Sequence, residues 1–121
     1  MKADEIQVKR IYEPADKTDG ARILVDRLWP RGVSKVEAAL DAWLKDIAPS
    51  TELREWFHHD DTLWSEFRKR YIAELHKAPE AVAELREWIK KGRVTLLYAA
   101  HDEAHNNAVV LREYMLGDGS S

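Results

Sequence analysis

The chain has 121 residues, 45% of them apolar and 34% charged, with five tryptophans and a formal net charge of −3. A single domain of this length buries roughly two-thirds of the surface its unfolded chain exposes, so it needs no covalent staples to fold. No cysteine is present, which excludes thiol nucleophiles, disulfides and cysteine-held zinc or iron–sulfur centres.

The acidic balance argues against duplex nucleic acid as the main partner. No apolar run approaches the roughly 20 residues of a membrane span, and the first five residues lack the apolar stretch of a signal peptide. A soluble domain without a membrane partner is expected, with the cytoplasm as its location.

In chain order, Ile6, Val8 and Tyr12 lie on one face of an alternating segment over about 5–13, read as a half-buried strand closed by Pro14. Asp19-Gly20 is a turn signal before a second strand over about 21–27, whose centre Ile23-Leu24-Val25 suits burial on both faces. Ser34 and Glu37 form a capping box, and Val36, Ala39, Leu40, Trp43, Leu44 and Ile47 recur at helical spacing, predicting a helix over about 35–47. Pro49-Ser50-Thr51 breaks that helix and opens a short one over 51–58, with Leu53, Trp56 and Phe57 turned inward. Asp60 or Asp61 caps the next, over about 61–77, and Pro79 starts another that runs through Lys91 to a stop at Gly92. The segment 94–99 is the cleanest continuous apolar strand and belongs at the centre of the sheet. Asp102 is the candidate cap of a final helix carrying Ala108, Val109, Val110, Leu111 and Met115, and residues 116–121 are expected to fray.

This order of elements, without an internal repeat or long linker, predicts one α/β domain over residues 1–121. The expected sheet is small, of about three strands with at least the last two parallel, packed by about five helices. Parallel neighbours end on the same edge of a sheet, so the loops over 26–34 and 99–105 converge there, with the start of the final helix. A concave polar site is expected between them.

The first loop brings Asp26, Arg27, Trp29 and Arg31. Two guanidinium forks beside a helix start suit a carboxylate or phosphate. Arg27 and Arg31 are therefore candidate ligand contacts, against the alternative of internal ion pairs, and Asp26 is expected to pair with Arg31 or with a residue of the second loop. Trp29 either lines the pocket or wedges the loop onto the core. His105 is the acid/base candidate, oriented by Asp26 or Asp102, and its alternative is a neutral residue tying the loops together. Tyr98, Asp102, Asn106 and Asn107 are expected to supply hydrogen bonds, while Ser50, Arg54 and His59 combine helix-end positions with contact to the same cleft. His101 and His105 have the spacing of a helical metal pair, yet the flanking acidic residues miss the zinc-protease patterns, so no metal site is assigned. The cofactor is left unassigned.

The string Leu24-Val25-Asp26-Arg27-Leu28-Trp29-Pro30-Arg31-Gly32, with Trp43-Leu44-Lys45-Asp46-Ile47-Ala48-Pro49-Ser50, Thr95-Leu96-Leu97-Tyr98-Ala99 and His105-Asn106-Asn107-Ala108, resembles the YeaO-like family from about Val8 to Leu116. This is a domain-of-unknown-function family, so the resemblance implies an α/β fold and a shared polar site without a reaction. More distant members of the wider family have a Cys-His-Arg sequence where this chain has His105-Asn106-Asn107, and their thiol chemistry cannot pass to a chain without cysteine.

Two functions are expected from these readings. The first is a polar, anion-binding cleft for a small molecule, with acid/base chemistry by Asp26 and His105 if it is an enzyme. The alternative is a non-catalytic regulatory or interaction domain that binds nucleic acid or a protein through the basic runs 68–70 and 90–93.

Overall fold

The computed structural model describes residues 3–58 and 60–117, so the expectations for His59 and for the tail beyond Gly117 lie outside the described residues. Four strands form one all-parallel sheet: β1 (Ile6–Arg10), β2 (Ala21–Leu24), β3 (Ala42–Trp43) and β4 (Val94–Tyr98), in the spatial order β1-β4-β2-β3. Five α-helices accompany them: α1 (Lys35–Ala38), α2 (Thr51–Phe57), α3 (Trp64–His76), α4 (Pro79–Lys91) and α5 (Asn107–Gly117). Among the described residues no helix is long and apolar enough to cross a membrane.

β4 is central, flanked by β1 and β2, and every one of its residues is buried. Its continuous apolar run follows from that position, because both faces of a parallel sheet are covered. One face carries Ile23, Val25, Val94, Leu96 and Tyr98 into the main core, with Leu53, Phe57, Phe67, Tyr71, Leu85, Ile89 and Leu111 from α2 to α5 packed against them. The other face carries Leu24 and Leu97 into a smaller cluster with Ile11 and Ala38, edged by Trp29 and Trp43.

The strong sequence signals became elements. α4 starts on Pro79 and stops at Gly92, where φ is +150°. Ser50 caps α2 through its hydroxyl, and Asp60 caps the 3-10 turn Asp61–Leu63 that leads into α3.

The helix expected over 35–47 is corrected. After the Ser34–Glu37 capping box the helix lasts four residues and ends in left-handed Ala39, φ 47°. The Ala38 carbonyl, which would accept the next helical N–H, instead accepts from Arg22 Nε at 3.1 Å and Nη2 at 2.9 Å. The chain then straightens into β3, pairing Ala42 with Ile23 and Trp43 with Leu24, before a 3-10 turn at Lys45–Ile47. Val36, the first residue of the supposed apolar stripe, is 88% exposed. A tertiary contact from β2 overrides the local pattern.

The cap of α5 also differs from expectation. Asp102 caps a preceding turn, whereas Asn106 Oδ1 accepts the Val109 N–H at 3.0 Å and so satisfies a free amide of the first helical turn.

Candidate functional site

Because all four strands are parallel, the ends of β1, β2 and β4 meet at one edge of the sheet, where α/β proteins place ligands. There the loop after β2, the loop after β4 and α2 enclose a cavity of about 810 Å³. Its lining includes Asp26, Arg27, Trp29, Arg31, Arg54, Asp102, His105, Asn106 and Asn107. The size suits a small organic ligand.

Leu28, Pro30, Pro49, Phe57 and Phe67 supply apolar lining. Two hydrogen bonds tie the facing loops together: Ala99 N–H donates to Asp26 Oδ2 at 2.9 Å, and Asn107 Nδ2 donates to the Val25 carbonyl at 2.9 Å. The expected second-loop partner of Asp26 is thus a backbone amide. The Asp26 carbonyl accepts from Trp43 Nε1 at 2.7 Å, which anchors the loop from its other side.

The three arginines of the cavity differ in how they are held. Arg27 donates from Nε to the Pro49 carbonyl and from Nη2 to the Ala48 carbonyl, both at 3.2 Å, so it braces the entry to α2. Arg31 is exposed, and its carbonyl accepts the Tyr12 hydroxyl at 2.9 Å. Arg54 is exposed on α2. Among the described residues no carboxylate forms an ion pair with any of the three.

Asp102 is the residue that orients His105. Its Oδ1 accepts the Ala104 N–H at 2.8 Å and the His105 N–H at 2.9 Å, and its Oδ2 lies 3.0 Å from His105 Nδ1. The Ala104 amide, then the His105 ring, then the His105 amide hold the Asp102 carboxyl below its ordinary pKa of 3.8. Trp64 packs on the imidazole with ring centroids 4.9 Å apart. An imidazole whose Nδ1 faces a carboxylate has its tautomer set, with Nε2 as the atom available for proton transfer.

Of the other expected contacts, Tyr98 and Ser50 lie outside the cavity lining, while Asn106 and Trp29 line it and also serve the fold. Tyr98 is only 2% exposed, sits in the main core and does not line the cavity, because side chains alternate along β4 and this one faces the helices. Burial first, then Glu103 and Glu13, raises its phenol above 10.0. Ser50 is committed to structure: its N–H and hydroxyl donate to Glu74 Oε1 and Oε2 at 2.8 and 2.6 Å. Asn106 is buried, donating to the Asp102 carbonyl at 2.9 Å while it caps α5. Trp29 both lines the cavity and wedges the loop, with Nε1 donating to the Val33 carbonyl and its ring edge-on to Trp43 at 5.4 Å.

His101 and His105 do not share a helical face, because α5 begins at Asn107. A second carboxylate near His105, besides Asp102, is that of Asp61, 3.6 Å from Nδ1 and brought in from the turn before α3. Sequence reading placed Asp61 only as a cap, and its spacing to His105 carries no signal. Arg10 was also missed: at the end of β1 its guanidinium donates to the Ala100 and Ala99 carbonyls and fixes the start of the second loop.

A family model described as "Inactive DUF488-N3 subclade" matches residues 5–119. The chain belongs to this family. The chain is 48% identical over 110 residues to the uncharacterized protein YeaO of Escherichia coli (strain K12), covering 91% of this chain and 96% of that one. It is 42% identical over 117 residues to the uncharacterized proteins Mb3100c of Mycobacterium bovis and Rv3073c of Mycobacterium tuberculosis, covering 97% of this chain and 98% of each. No solved structure matches the chain. The YeaO-like assignment from the sequence is therefore correct at family level.

Proposed function

We propose that the cavity binds an anionic small molecule, held by Arg31 and Arg54 beside its apolar lining, with His105 as its proton acceptor or donor. The observation that carries this reading is the pair of exposed guanidinium groups, neither in an ion pair with a carboxylate among the described residues, beside a cavity of ligand size. Guanidinium forks recognise carboxylate and phosphate through paired N–H groups. Asp26 serves as the tie between loops rather than as a base, since Oδ2 accepts the Ala99 amide. Binding without turnover suits the family description, whose word is "inactive".

The basic runs give less support to a nucleic-acid partner. Arg68 pairs with Glu113, Arg70 pairs with Glu66 and stacks on Trp56, and Lys90 pairs with Glu87. Arg93 donates to Gln7, and Lys91 lies over the Trp88 ring. Their charges are largely spent on the protein's own surface.

The test is a thermal-shift and calorimetric panel of phosphate, sulfate, benzoate and phenyl phosphate at low salt. A rise in melting temperature is expected for the aryl anions, and Arg31→Ala should remove it while the unliganded melting temperature stays put. The reading fails if no anion binds, or if binding survives Arg31→Ala combined with Arg54→Ala.

A further inference from the structure

Acidic residues line the same cavity as the arginines. Asp61, Asp102 and His105 come from two distant segments, the turn before α3 and the loop before α5. His105 Nδ1 lies 3.0 Å from Asp102 Oδ2 and 3.6 Å from Asp61 Oδ1, and the three donor atoms all fall within 4.8 Å of one another.

That spacing has a chemical meaning beyond a hydrogen bond. Donors that share an ion at bond lengths of about 2.0–2.2 Å stand roughly 3.0 Å apart at right angles and about 3.5 Å apart in a tetrahedron. Asp102 offers Oδ2 alone, because Oδ1 is engaged by the Ala104 and His105 amides. The imidazole distinguishes the cluster from a chance meeting of surface carboxylates: it is a nitrogen donor with its ring held by Trp64. Two carboxylates also bring two negative charges that a divalent ion would cancel.

Arg31 and Arg54 line the same cavity, where the reading proposed above has them hold an anion. Three protein donors leave coordination positions for solvent or for such an anion. A mixed nitrogen and oxygen donor set favours zinc or manganese over soft ions such as copper(I).

We propose that Asp61, Asp102 and His105 form a three-donor site for a divalent transition-metal ion, open to the anion cavity. His101 takes no part, although it lines the same cavity. The ion replaces the proton on Nδ1, and the imidazole then carries its proton on Nε2, where it would donate to a bound anion.

The test uses the full chain without an affinity tag, in an anion-poor buffer. Calorimetry with zinc chloride should give one ion per chain, and Asp61→Asn or His105→Gln should weaken binding at least about tenfold. His101→Gln should leave it unchanged. Cobalt(II), which quenches nearby indole emission, should quench a share of the tryptophan fluorescence that Trp64→Phe abolishes without weakening the ion. Asp61 is exposed, so circular dichroism of Asp61→Asn should be native and any lost binding is local. Absence of binding, binding indifferent to Asp61→Asn, or equal loss with His101→Gln overturns the site. Retention of zinc by Arg31→Ala supports it, and because no anion is needed in this experiment its failure leaves the anion reading standing.

Discussion

Aspartates and arginines lie at both ends of strand β2, and the two ends use them differently. At the start, Asp19 is 1% exposed, with Lys9 and Arg22 ion-paired to its carboxylate, the Asp16 amide on Oδ2 and the Thr95 hydroxyl on its carbonyl. Arg22 is 4% exposed and also donates from Nε and Nη2 to the Ala38 carbonyl. Every group there has a partner within the chain. At the far end, Asp26 and Arg27 are likewise engaged with backbone, but Arg31 and Arg54 stand exposed at a cavity and Asp102, Asp61 and His105 crowd together at its rim. The same residue types are paired off at one end and line a cavity at the other.

The largest effect should come from breaking the closed end. Asp19→Ala leaves the Arg22 guanidinium buried without its carboxylate, a loss of about 3–5 kcal/mol that denaturant midpoints would read. The same group makes a pH signature. Burial raises the Asp19 pKa, but the Asp16 amide together with Lys9 and Arg22 outweighs it, so the folded value lies below the ordinary 3.8. The unfolded chain therefore binds the proton more readily, and the stabilisation is complete above about 3.8 and lost as pH falls through the folded value. Asp19→Asn should flatten that acid limb. If the wild type and Asp19→Asn lose stability in parallel below pH 4, the charge cluster is not what holds this end together.

How far the sequence carried the comparison depends on which groups made the contacts. Parallel pairing of β2 and β4 followed from element order, so the meeting of the Asp26 and His105 loops was legible. The partners were not, because Asp26 binds the Ala99 amide and Arg27 binds the Ala48 and Pro49 carbonyls, and every residue carries such groups. The same reason hid β3. Leu40, Trp43 and Ile47 keep helical spacing, and what replaces the helix is tertiary: Arg22 holds the Ala38 carbonyl and residues 42–43 pair with β2. The Asp61–His105 approach spans 44 residues of chain, and no local pattern announces it.

Next in size is Gly20, which joins the closed end to β2. Its φ is +66°, and a Cβ there would stand 2.2 Å from the Arg93 carbonyl oxygen, the acceptor of the Ala21 N–H at 2.9 Å. Gly20→Ala combines a left-handed backbone with a clash against backbone that β4 holds in place, together about 2–3 kcal/mol. Thermal melts should show the loss, and hydrogen exchange should place it at Ala21. A near-neutral result would mean that the β2–β4 approach gives way easily, and the closed end would be softer than its contacts imply.

The smallest effect is the most discriminating, because it sets two arginines of one loop against each other. Arg27 is partly buried and gives two hydrogen bonds to carbonyls at the entry to α2, so Arg27→Ala should cost about 1–3 kcal/mol. Arg31 is exposed with its side chain on the cavity, and Arg31→Ala should change stability by no more than about 0.5 kcal/mol. In an anion titration the ranking should reverse: Arg31→Ala loses affinity outright, while Arg27→Ala, measured below its own melting transition, retains it. If Arg31→Ala destabilises as much as Arg27→Ala, both guanidinium groups serve the fold, and the far end of β2 is as closed as the near one.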